Sequence, residues 1–161
     1  RNSRGQYILT LDELEAGSLD TAEPVIEVEG DLILQLKKDT ISHLESQGPV
    51  IKKGTGTLTI RGEGSLELES ADAEAISSDW NGEELDADHP SAVRLEAGNL
   101  TFTGAGSGIV DETVELAGAQ GTITATSTSG AAVKTAHVKR EGSNSDKLEL
   151  IGATAVAVPE S

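Results

Sequence analysis

The sequence predicts an all-β chain wound as a single-stranded, right-handed parallel β-helix, a solenoid of about five coils with three short strands per coil. Three observations predict it. Apolar runs recur at a nearly constant interval, each run alternates apolar and polar residues, and most of the glycines fall between the runs.

The first column of runs starts at Pro24-Val25-Ile26, which returns as Pro49-Val50-Ile51 at an interval of 25 (51 − 26), and then as Ala75-Ile76. Ile109-Val110 and Ala132-Val133 continue it, with Val110 placed 34 residues after Ile76 and Val133 placed 23 after Val110. A second column holds Leu9 and Leu11, Leu32 and Leu34, Leu58 and Ile60, Val93 and Leu95, Val114 and Leu116, and Val138. Thr10, Thr59, Arg94 and Glu115 lie between its apolar members, the pattern of a strand with one face on a core. The third column holds Leu66 and Leu68, Leu100 and Phe102, Ile123 and Ala125, and Leu148 and Leu150. Ser42-His43-Leu44 belongs to it too, with the inward side open. An antiparallel sandwich also has many short strands, but it does not require every third strand to realign at a constant offset. The right hand follows from the general preference of crossovers between parallel strands. Asp12–Ala16 contains helix formers but stops at Gly17, too short for more than a turn.

One interval is long, and the excess falls at Asp79–Pro90, a polar, acidic stretch ending in proline. It reads as a loop inserted at 79–90 into one coil of a single domain spanning 1–161.

Composition narrows the function classes. The 161 residues carry one Trp, one Tyr and one Phe, so small and β-branched aliphatic residues must build the core. A net charge of −16 repels nucleic acid and anionic membranes, and is compatible with divalent cations or a basic partner. No cysteine is present, which excludes disulfides and thiolate metal sites. No apolar run approaches the roughly 18 residues of a membrane-spanning helix, so no membrane insertion is expected.

The inserted loop supplies the candidate binding residues. Asp79, Glu83, Asp86 and Asp88 offer oxygen ligands of the kind that hold Ca²⁺. Trp80, Asp86 and His89 are the candidate ligand-binding residues; Trp80 either stacks on a sugar or covers the base of the loop. Catalytic residues are not assigned. His43, His89 and His137 lie in different coils, Lys52 and Lys53 share a corner without a converging partner, and no nucleophile motif is present, so the chain reads as a non-enzyme.

Two segments carry a resemblance. Gly48-Pro49-Val50-Ile51 followed by 56–66 (GTLTIRGEGSL), and Asn99–Gly104 (NLTFTG) followed by Gly108-Ile109, resemble repeats of bacterial surface β-helix proteins known as carbohydrate-binding-domain-containing. The resemblance touches most of 24–152 and is strongest over 48–70 and 98–110. It implies a fold like that of polysaccharide lyases and binding of acidic glycans, often with calcium.

The ends of the solenoid point elsewhere. Arg1–Gln6 is short and polar, and Ile151–Pro159 is apolar and strand-like; neither reads as a capping helix. Tyr7, Ile8, Val156 and Val158 are therefore expected at an assembly interface in which copies pair end to end. The functional expectation is an extracellular or cell-surface structural solenoid that self-associates through its ends. The alternative is a carbohydrate-binding module of a larger surface protein, assisted by calcium, with a polysaccharide as partner.

Overall fold

The computed structural model describes residues 6–83, 88, 90–96, 99–117, 122–140, 147–151 and 154–157, and only the backbone of residues 140, 147–151 and 154–157. Eighteen strands follow one another in triplets, and no helix occurs among the described residues. The first triplet is β1 (Tyr7–Leu11), β2 (Glu15–Ser18) and β3 (Ile26–Val28). The second is β4 (Leu32–Leu36), β5 (Ile41–Ser46) and β6 (Ile51–Lys53). The third is β7 (Gly56–Gly62), β8 (Ser65–Ser70) and β9 (Ile76–Ser77). The fourth is β10 (Ser91–Leu95), β11 (Asn99–Gly104) and β12 (Ile109–Val110). The fifth is β13 (Thr113–Leu116), β14 (Thr122–Ser127) and β15 (Ala131–Lys134). The sixth is β16 (His137–Arg140), β17 (Lys147–Ile151) and β18 (Thr154–Ala157).

Every third strand pairs in parallel, giving three six-stranded sheets: sheet A runs β1-β4-β7-β10-β13-β16, sheet B β2-β5-β8-β11-β14-β17, and sheet C β3-β6-β9-β12-β15-β18. The six strand levels are joined by about five turns of the solenoid, as the repeat predicts. Between the sheets runs one aliphatic core. Ile51, Leu58, Ile60 and Leu66 are all fully buried in it.

The register agrees with the sequence columns in sheets A and B. Leu9 pairs with Leu34, which pairs with Ile60; Leu66, Leu100, Ile123 and Leu148 form one ladder. Sheet C corrects one assignment. Ile109, not Val110, pairs with both Ile76 and Val133, while Val110 pairs with Lys134. The true steps are therefore 33 (109 − 76) and 24 (133 − 109). In a strand a slip of one residue exchanges faces, and Ile109 is the buried member of its pair. The run is only two residues long, so alternation within it cannot choose between them.

Ser42, Leu44 and Ser46 of β5 point inward, which leaves His43 and Glu45 on the outer face of sheet B. Ser42 Oγ accepts the Leu14 N–H at 3.0 Å, and the inward serines that end β5, β8 and β14 bond corner carbonyls. Ser46 Oγ donates to Thr21 O and Glu23 O, Ser70 Oγ to Gly48 O at 2.6 Å, and Ser127 Oγ to Gly106 O at 2.8 Å. The register sets Gly104 between Ser70 and Ser127. There a Cβ would stand 2.0 Å from Ser107 O, so the backbone itself closes the corner and only glycine fits. The stretch 12–16 bends through Glu13, whose φ is +50°, and enters β2 rather than a helix.

Candidate functional site

Three features stand out from the regular solenoid. The first is a buried ion pair at the corner where sheet C passes to sheet A. Lys53 ends β6, and Asp111 follows β12 two levels away. Continuing the register, one residue on from the Lys52–Ser77 pair and two on from the Ile109–Ile76 pair, sets Ser78 between them. Two coil spacings are about 10 Å, and the small Ser78 leaves that distance to the lysine stem. Lys53 Nζ reaches Asp111 Oδ2 at 2.7 Å, Ser91 Oγ at 2.7 Å and Gly54 O at 3.1 Å. Ser91 Oγ and the backbone N–H of Glu112 both donate to Asp111 Oδ1. Both charged side chains are 0% exposed. Ser91 resumes the coil after the inserted loop, so the pair ties the second level to the fourth at the loop's exit. The sequence shows Lys52 and Lys53 side by side but not that Lys53 is buried. Lys52 points outward, 3.9 Å from Glu27.

The second feature is the outer face of sheet B. Register places Glu15, His43 and Glu67 in one outward column and Gly17, Glu45 and Glu69 in the next. Beyond them the same columns continue as Thr101 and Thr124, and as Thr103 and Thr126. The second and third levels of the face are thus carboxylate and imidazole, and the fourth and fifth hydroxyl. His43 Nε2 lies 3.2 Å from Glu45 Oε2, and Nδ1 lies 3.4 Å from Glu67 Oε2. Partial burial on its own would lower the His43 pKa; the hydrogen bonds to Glu45 and Glu67, with their charges, outweigh it and raise it. His43, Glu45 and Glu69 bring one ligand atom each to within 4.8 Å of one another.

A stability consequence follows. Because the folded pKa of His43 lies above its unfolded value of about 6.5, the contribution is fully present below that value and lost as pH rises through the folded pKa. The groups facing the ring are Glu15 on β2, Glu45 on its own strand, and Glu67 and Glu69 on β8. Wild type should therefore exceed His43→Gln in urea midpoint by more at pH 5.5 than at pH 8.5, both measured in EDTA. Equal differences at the two pH values would remove this account.

The third feature is the pair of solenoid ends. In sheet A one inward ladder runs Tyr7, Leu32, Leu58, Val93, Val114, Val138. Its middle members are buried, but Tyr7 is 53% and Val138 48% exposed. Leu9, next on β1, is 41% exposed although its ladder partners Leu34 and Ile60 are fully buried. These side chains face inward by register and lie in the first and last of the described levels, although Leu11 at the end of β1 is buried.

The residues expected at the inserted loop are placed as follows. Between Ser77 and Ser91 the described residues form no strand, so the loop leaves between β9 and β10. Asp79, Glu83 and Asp88 are exposed, and no metal-type cluster forms among them; the one cluster found among the described residues is on sheet B. Trp80 is only 4% exposed, which fits, of its two readings, the cover for the base of the loop and not a platform open to a sugar. The only large aromatic side chain of the loop is drawn into the protein because burying its apolar area outweighs leaving it in water. Its indole Nε1 is buried without a hydrogen-bond partner among the described residues. Asp86 and His89 lie outside the described residues. Tyr7 and Ile8 are exposed on the edge strand β1; Val156 lies on β18, where only backbone is described, and Val158 lies outside the described residues.

A polar cleft of about 400 Å³ crosses the outer face of sheet A, lined by Thr57, Thr59, Arg61, Arg94 and Glu115 among others. Its basic groups are engaged: Arg94 pairs with Glu96 at 2.7 Å and Glu115 at 2.8 Å, and Arg61 donates to Gln35 at 2.8 Å.

No known protein family matches the chain, and no characterised protein or solved structure matches it either.

Proposed function

We propose that this chain is a non-enzymatic structural solenoid of the extracellular or cell-surface kind, whose copies stack end to end. The observation that carries the reading is the sheet A ladder that is buried in its middle and exposed at both ends, at Tyr7 and Val138. A second copy placed head to tail would set its Tyr7 against Val138 of the first and continue three parallel ladders at the spacing already used inside the subunit. Head-to-tail repetition of this kind does not close, so it builds a filament.

Charge does not forbid this polarity. Between Gln6 and Gly30 there are seven carboxylates and no Lys or Arg, whereas from Ala131 onward Lys134, Lys139, Arg140 and Lys147 balance Glu141, Asp146, Glu149 and Glu160. An acidic end therefore meets one with no net charge. The net charge of −16 opposes association, but subunit centres six levels apart stand about 29 Å from each other, roughly three Debye lengths at 0.1 M salt. Charges at the junction lie within one Debye length and are screened far less.

Sedimentation velocity over a concentration series is the test. The unaltered chain should form a ladder of oligomers, and Val138→Glu, which sets a carboxylate against the acidic first coil of the next copy, should hold it as a monomer. A monomer at every concentration for the unaltered chain would end this reading. So would a Val138→Glu variant that assembles as the parent does. The alternative, a polysaccharide-binding module, draws on the sheet A cleft and would then take precedence. Its direct check is a shift of the melting temperature by acidic polysaccharide that Arg61→Ala abolishes.

A further inference from the structure

We propose that the outer face of sheet B binds a first-row divalent transition-metal ion, with Zn²⁺ the natural probe, through His43 Nε2 and the carboxylates of Glu45 and Glu69. This site is independent of the end-to-end reading, because it sits on the side of the second and third coils.

The arrangement goes beyond a patch of acidic residues. Its central member is an imidazole, and the two ring nitrogens have different surroundings. Nδ1 faces Glu67 Oε2 at 3.4 Å. In the tautomer with its proton on Nδ1, the ring donates to Glu67 and turns the Nε2 lone pair toward Glu45 and Glu69. That is the carboxylate–histidine–metal relation, in which an outer carboxylate fixes the tautomer and raises the basicity of the ligating nitrogen. A tetrahedral zinc with ligands at about 2.0–2.1 Å has donor atoms about 3.3–3.4 Å apart. His43 Nε2 and Glu45 Oε2 already stand 3.2 Å apart. Glu69 completes a trio whose atoms all lie within 4.8 Å, so a rotation of its flexible side chain closes the site.

Sheet register supplies a separate reason for a cation here. Glu45 and Glu69 are directly opposed across a parallel ladder, as are His43 and Glu67. Like charges in direct cross-strand register destabilise a sheet. The ion pairs of Lys37, Lys38 and Lys52 are made with Asp12, Glu63 and Glu27, so these three lysines do not neutralise the Glu45–Glu69 pair. A divalent ion between the two carboxylates turns repulsion into ligation. Donor chemistry selects its class: one nitrogen and two carboxylate oxygens on a flat, rigid face suit zinc and its neighbours, whereas calcium requires six to eight oxygens. Three protein ligands leave a fourth position open toward solvent.

The experiment is calorimetric titration of the full chain with ZnCl₂ and, separately, CaCl₂, on wild type, His43→Ala, Glu69→Gln and the control Glu63→Gln. Glu63 is an exposed carboxylate outside the cluster. One zinc site is expected. His43→Ala and Glu69→Gln should each weaken it by roughly tenfold or more, at least the loss that removal of a mere supporting partner causes, while Glu63→Gln titrates as wild type. Calcium should bind much more weakly. The substituted side chains are on the outer face, and circular dichroism verifies that each variant is folded. On the unaltered protein, the ring proton signals of one of the three histidines should move with stoichiometric zinc and vanish as a responder in His43→Ala. Absence of zinc binding overturns the proposal. So does zinc binding that is unchanged in His43→Ala and Glu69→Gln, or calcium binding as tight as zinc, since either means diffuse screening of an acidic surface.

Discussion

Ile60→Asp is expected to abolish cooperative folding at physiological temperature. Ile60 is 0% exposed and stacks between Leu34 on one coil and Leu95 on the next, with leucine at the two ladder positions on either side of it, Leu9 and Leu34, Leu95 and Leu116. A carboxylate there must either stay ionised in an apolar core or bind a proton, and an unpaired buried polar group alone costs about 2–7 kcal/mol. The lost methyl and methylene contacts add a cavity, worth about 2–5 kcal/mol when Ile is cut to Ala. Together these reach the whole stability of a typical domain, roughly 5–15 kcal/mol. Two companions make the measurement decisive. Ile60→Val should cost about 0.5–1.5 kcal/mol, and Thr59→Asp, one residue away on the outer face, should stay within about 0.5 kcal/mol. Thermal melts followed by circular dichroism distinguish them. Near-normal melting of Ile60→Asp would mean that the inward face of β7 has been assigned to the wrong residues.

The second large effect is at the buried ion pair. Asp111→Ala should destabilise by about 3–5 kcal/mol, because it leaves the Lys53 ammonium in a dry corner with only Ser91 Oγ and Gly54 O for partners. For a chain of this size that corresponds to a fall in melting temperature of roughly 6–20 °C. The paired replacement Lys53→Met with Asp111→Leu should recover most of the loss, since burying two charges carries a desolvation cost that a packed apolar pair does not. A double variant as unstable as Asp111→Ala would show that the pair does more than neutralise itself. In that case the hydrogen bonds from Ser91 and the Glu112 N–H to Asp111 would be holding the loop's exit in place.

The buried ion pair leaves no trace in the sequence, whereas the His43 cluster is half visible there. His43, Glu45, Glu67 and Glu69 are adjacent because β5 and β8 are neighbours in register, and the repeat interval alone predicts that they are one coil apart. What the interval does not settle is which side of Ser42-His43-Leu44 faces the core. Two of the three inward positions of β5 are serines, so its polarity pattern does not declare a face. Ser46 points inward to donate to the carbonyls of Thr21 and Glu23, and Ser42 to accept the Leu14 N–H, demands set by the path of the backbone in the neighbouring coil.

The amino-acid sequence by itself determined the parallel solenoid, its three sheets and most of the apolar inward residues of sheets A and B, but not the inward face of β5 or the inward serines at the strand ends. Those features depend on a period that repeats along the chain, and each coil can bury its apolar face only against the next. Position of the inserted loop followed from the same count. Tertiary structure alone decided the burial of Lys53 and Trp80, the choice of Ile109 over Val110, and the grouping of His43 with three glutamates. Each of these turns on a contact between coils or on a face that local alternation leaves undetermined. A lysine is read as a surface residue until a carboxylate two coils away is seen to meet it, and 58 residues of chain separate Lys53 from Asp111.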